Sequence, residues 1–147
     1  MRIVVGVDGS PTSRRALEWG LEEARLRRGS CVAVHAYLDR AASANPFGEP
    51  HSRQTEDAAH AILAEAAAFA QGSDVAFETK LVFGHPAEAL LREAVGAELL
   101  IVGSRGRGAM VGTVLGSVSS TCVHHAPCPI TIIPHADPPA DPDHGTA

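Results

Sequence analysis

An α/β fold built on a parallel sheet is the class this sequence predicts, and three observations predict it. Five short apolar runs alternate with four segments of helical periodicity. The runs at 3–7 and 99–102 are apolar almost throughout, as strands buried on both faces are. The joints between segments are short and rich in glycine, proline and serine. A length of 147 residues fits one domain, large enough to bury a core without staples.

The first strand is read over 3–7, followed by the turn Asp8-Gly9-Ser10-Pro11. Ser10 is placed to cap a helix, and Pro11 suits its first position because no N–H is needed there. That helix should run to about Arg28, with Leu17, Leu21 and Ala24 on its apolar face and Gly29 ending it. Trp19 falls off that stripe. A second strand is expected over 31–38, then a loop over 39–52 broken by Asn45-Pro46 and Glu49-Pro50. An alanine-rich helix over 53–71 should turn Ile62, Ala66 and Phe69 to one side and close at Gly72. Residues 75–83 alternate, with Glu78 and Lys80 on one face, the pattern of an edge strand. Gly84-His85-Pro86 opens the next helix, with Ala87, Leu90, Leu91 and Ala94 inward. The fourth strand is 99–102. A glycine-rich stretch over 103–116 leads to a helix near Ser117, with Val118 and Cys122 on one side, and a last strand covers 129–133. The end of the chain holds four prolines and three aspartates from Pro134 onward. The expected organisation is one domain over 1–135 and a disordered tail over 136–147.

The net charge of −5 argues against general binding of nucleic acid. The basic cluster Arg25, Arg27 and Arg28 sits where cations complement a helix C-terminus. Three cysteines, Cys31, Cys122 and Cys128, make no disulfide framework and fit a reducing compartment. Cys31 and Cys122 are expected in the core. Cys122, His124, His125, Cys128 and His135 match no zinc spacing. The first apolar stretch is too short for a signal peptide. The longest segment free of Asp, Glu, Lys and Arg, over 108–136, carries too many hydroxyls and prolines to span a membrane. A cytoplasmic location without membrane contact is expected.

In an open parallel sheet, ligands bind beyond the carboxyl ends of the strands at the switch point. Asp8-Gly9-Ser10 and the stretch from Gly103 to Gly116 both lie there. Glycines let backbone approach a phosphate, and the free N–H groups of a helix N-terminus attract anions. Ser117, Ser119 and Ser120 can add hydroxyls. Arg105 and Arg107 can pair with phosphates or remain solvated, and His35 can line a pocket or simply satisfy a hydrogen bond. Asp8 can also close an Asx turn. Neither a P-loop nor the Rossmann glycine fingerprint is present. A nucleophile beside a base cannot be assigned, and the nearest acid upstream of the glycine stretch is Glu98.

The spacing Gly103-x-x-Gly106, nine residues, then Gly116-Ser117 resembles the G-2x-G-9x-G-[ST] signature of ATP-binding universal stress proteins. The opening Ile3-Val4-Val5-Gly6-Val7-Asp8-Gly9-Ser10, the run Val102-Gly103-Ser104-Arg105-Gly106 and the close Cys128-Pro129-Ile130-Thr131-Ile132-Ile133 are similar to that family's first, fourth and fifth strands. The resemblance covers roughly residues 1–135. It implies a Rossmann-like three-layer sandwich, of the adenine nucleotide alpha-hydrolase-like kind, with strand order 3-2-1-4-5. It implies ATP as ligand, with any Mg²⁺ held by the phosphates. Asp8, at the end of Gly6-Val7-Asp8, would lie by ribose and adenine, and the backbone at Ala36 by the base. Val102, Gly103, Arg105, Gly106, Gly108, Gly116, Ser117, Val118 and Ser119 would surround ribose and phosphates. It also implies a homodimer through the last strand, where Ile130, Ile132 and Ile133 form an apolar edge. A stress-response binding module without catalytic function is therefore expected. A cyclic-AMP or AMP binder and a slow ATPase remain as alternatives.

Overall fold

A computed structural model describes residues 1–38, 51–105 and 115–136. The elements in order are β1 (Arg2–Gly6), α1 (Pro11–Leu26), β2 (Ser30–Tyr37), α2 (His51–Ala70), β3 (Ala76–Phe83), α3 (Pro86–Ala94), β4 (Leu99–Gly103), α4 (Ser117–His125) and β5 (Ile130–Ile133). All pairings are parallel, in the order β3-β2-β1-β4-β5. The expected class and strand order are thus observed, and β3 and β5 are the edges.

Alternate side chains of each strand feed opposite layers. Ile3, Val5, Cys31, Ala33, Leu99 and Ile101 pack under α1 and α2. Val4, Val32, Val34, Leu100 and Val102 pack under α3 and α4 with Leu90, Ala94 and Cys122. Because β1 and β4 are central, both their faces are covered, which is why their sequences carry no polar alternation.

Two local expectations are corrected. The first helix stops at Leu26, and Arg28 rather than Gly29 takes the left-handed turn (φ 53°). Gly29 is needed for space instead, since a Cβ there would meet the Met1 carbonyl oxygen at 2.8 Å. In α2 the buried residues are Ala59, Leu63, Ala66 and Ala70, while Ile62 is half-buried and Phe69 sits on the rim. The Arg14 guanidinium covers the Phe69 ring at 5.1 Å. The chain just after β5 is tied to the domain at Pro134 and His135. Arg15 donates to the Pro134 carbonyl at 2.8 Å, and the His135 N–H donates to Ser104 Oγ at 2.9 Å. Residues 137–147 lie outside the described residues, as does most of the 39–52 loop. Among the described residues no helix is long and apolar enough to cross a membrane.

Candidate functional site

A cleft of about 430 Å³ opens at the C-terminal ends of β1, β2 and β4. This is where β1 sends its connection to one face of the sheet while the helices flanking β4 cover the other, the crevice where open α/β sheets take ligands. Gly6, Val7, Asp8, Ala36, Val102, Gly103, Arg105, Gly116, Ser117, Val118 and Ser119 all line it. Gly106 and Gly108 lie outside the described residues.

On the β1 side the chain makes a closed turn. The Ser10 N–H donates to Asp8 Oδ1 at 2.9 Å, the Asx turn that the sequence allows. Ser10 Oγ accepts from the Ser13 N–H at 3.2 Å, capping α1, and Pro11 follows at the first helical position. Ser13 Oγ accepts from the Asp8 N–H at 3.3 Å and donates to the Ser10 carbonyl at 3.0 Å. The Asp8, Ser10 and Ser13 N–H groups therefore have partners within the turn.

The β4 side is organised around Ser104, which is buried. Its N–H donates to the Ile133 carbonyl at 2.8 Å. Its own carbonyl accepts from the Gly116 N–H at 2.6 Å and from Ser119 Oγ at 2.8 Å. The two ends of the glycine-rich stretch are thereby clasped at one oxygen. Gly103 permits the approach beneath: a Cβ there would meet Thr12 Cγ2 at 2.8 Å. Ser119 also donates toward the Gly116 carbonyl at 3.1 Å. Its hydroxyl proton is thus committed to the protein, and toward a ligand it offers lone pairs only. Gly116 caps α4 with φ −74° and ψ 173°, and no side chain caps that helix among the described residues. The first-turn amides of Ser117, Val118 and Ser119 are consequently the donors that α4 offers to the cleft.

Between these sides, Val34, Pro86 and Leu90 supply an apolar wall, with Ile62 opposite. Sequence reasoning assigned Ile62 and Leu90 to the core, Pro86 to a helix start and Ser13 to nothing. Ser13 and Pro86 reach the cleft because helix starts gather at the strand C-termini, and Ile62 and Leu90 from within their helices through tertiary packing; no local pattern marks either. His35 does both things its position allowed: it lines the cleft, and Nδ1 lies 2.7 Å from the Val7 carbonyl. Asp8 and Arg105 are the acid and the Arg/Lys cation among the described lining residues. The buried cysteines are remote from such chemistry: burial pushes the Cys31 thiol up to about 12 and the Cys122 thiol up to about 11, so neither ionises near neutral pH.

Comparison with known proteins fits this arrangement. The model of the universal stress protein family matches residues 1–134. The chain is 36% identical over 148 residues to universal stress protein Rv2005c of Mycobacterium tuberculosis, covering 96% of this chain and 50% of that one. It is 37% identical over 133 residues to a universal stress protein of Mycolicibacterium smegmatis, covering 89% and 45%. The chain thus spans about half the length of the curated relatives it matches. Among solved structures, a universal stress protein in complex with cAMP superposes with a TM-score of 0.71 at 26% identity, over 93% of this chain and 98% of that one. Hypothetical protein MJ0577 superposes with a TM-score of 0.83 at 19% identity, over 93% and 97%, a likeness of fold.

Proposed function

Since the chain belongs to the universal stress protein family, we propose that it is a binding module for an adenine nucleotide, ATP in the first place. The observation that carries this reading is the N-terminus of α4 at the cleft, whose N-cap Gly116 has no side chain and which no side chain caps among the described residues. An oxyanion placed there accepts from first-turn amides and gains from the helix dipole. Arg105 lines the same end of the cleft and adds a cation for the phosphates. The apolar wall of Val34, Pro86 and Leu90 suits the base, two strands away. Mg²⁺ entering with ATP is held by phosphate oxygens and water.

The module is a binder rather than an enzyme in this reading: Ser13 and Ser119 direct their hydroxyl protons to backbone carbonyls rather than to a base. We place dimerisation at β5. Ile130 and Ile132 pack inward on the α3–α4 layer and Ile133 on the other, so the backbone edge, free of charged residues, makes the pairing. Cyclic AMP is the second reading, supported by the similar protein solved in complex with cAMP.

Calorimetric titration of ligand-stripped protein with ATP, AMP and cyclic AMP tests the proposal. ATP is expected to bind tightest, since its phosphates use both Arg105 and the α4 amides. Preferred binding of cyclic AMP would move the protein to the second reading, and absence of binding by all three would sink both.

A further inference from the structure

We propose that His35 selects the base of the ligand, accepting from a 6-amino group and rejecting a 6-oxo group. The inference rests on the nucleotide reading above and adds to it a residue and a selectivity. Val7 offers a carbonyl oxygen, which only accepts. The ring nitrogen 2.7 Å away, Nδ1, must therefore carry the proton. In the neutral imidazole Nε2 is then an acceptor. The ring belongs to a residue lining the cleft, on the side of β2 that carries Cys31 and Ala33.

The position along the cleft sets what this acceptor meets. The anion-binding end is at β4 and α4, through Gly103, Gly116 and Ser117. β2 lies two strands from β4, on the far side of β1. At about 4.8 Å per strand, this separates His35 from the phosphate end by about the span of a nucleoside. The group that reaches His35 is therefore the edge of the base. Adenine presents an amino donor there, whereas hypoxanthine and guanine present a carbonyl oxygen. An acceptor facing an acceptor leaves both without a partner in a partly desolvated site. The pairing with Val7 fixes the ring so that it cannot turn its protonated nitrogen toward the ligand without breaking a bond to backbone.

The test compares ATP with inosine triphosphate, which exchanges the amino group for an oxo group. Wild-type protein is expected to bind ATP about tenfold or more tightly than inosine triphosphate. His35→Phe and His35→Gln should bring the ratio within about twofold, chiefly by weakening ATP. In unmodified protein, imidazole nitrogen resonances should show the Nδ1–H tautomer, with Nε2 moving on addition of ATP and not of inosine triphosphate. This second readout needs no variant and stands if His35→Phe fails to fold. Equal affinities in the wild type, a ratio kept in both variants, or an Nε2–H ring in the complex would overturn the role of His35 and leave the nucleotide site standing. Absence of binding by both nucleotides would overturn both.

Discussion

Of the helices that start at the cleft, α1 and α4 are finished by the chain in opposite ways. At α1, Ser10 Oγ accepts the Ser13 N–H, Pro11 removes a donor, and Asp8 accepts the Ser10 N–H. At α4 the cap is Gly116, which has no side chain to accept anything. Both ends carry the positive pole of a helix dipole. The first neutralises it with its own carboxylate and hydroxyl; the second leaves it for something else. A glycine cap leaves a helix weaker than a serine or aspartate cap does, and at α4 that loss of local stability accompanies first-turn amides left for a ligand.

That contrast can be broken by giving α4 the cap α1 has. The dihedrals of Gly116 suit an ordinary N-cap, and a Cβ there meets its nearest neighbour, the Ser104 carbonyl oxygen, at 3.5 Å, an ordinary contact. Gly116→Asp should therefore raise stability by about 0.5–1 kcal/mol in thermal or denaturant unfolding. The same carboxylate stands where the phosphates belong, so ATP affinity should fall by about 100-fold or more in calorimetry. Opposite signs of the two effects are the signature; a variant that loses both stability and binding would point to simple misfolding.

The reverse substitution sharpens the comparison with a smaller effect. Ser10→Ala removes the α1 cap and should lower stability by about 1 kcal/mol. ATP affinity should stay within about twofold, because this end is assigned no phosphate. A loss of affinity similar to that of Gly116→Asp would mean that the anion lies at α1.

How far the sequence foretold this contrast depends on the range of the forces involved. Ser10, Pro11 and Asp8 act within a few residues of one another, so their turn and cap were legible directly. The α4 end was legible through the spacing from Gly103 to Gly116 and the Ser117 that follows. The clasp at Ser104 was not, because it joins β4 to β5 and to the start of α4 through bonds between distant positions. Nor was the contact that ends the domain, His135 Nδ1 at 3.0 Å from Thr12 Oγ1, a partner 123 positions away. Helical periodicity placed Ala66 correctly on the buried face of α2 but chose Phe69 beside it, where tertiary packing takes Ala59, Leu63 and Ala70 instead. Arg28 in place of Gly29 at the left-handed position shows a similar override, since Met1 fills the space beside Gly29.

The central claim is that the anion of the ligand sits on the first turn of α4. Amide resonances followed during an ATP titration test it residue by residue. The account predicts that the Ser117, Val118 and Ser119 amides move most, while those of Thr12 and Ser13 at the start of α1 stay nearly fixed. Large shifts confined to the α1 turn, with the α4 amides unmoved, would contradict it.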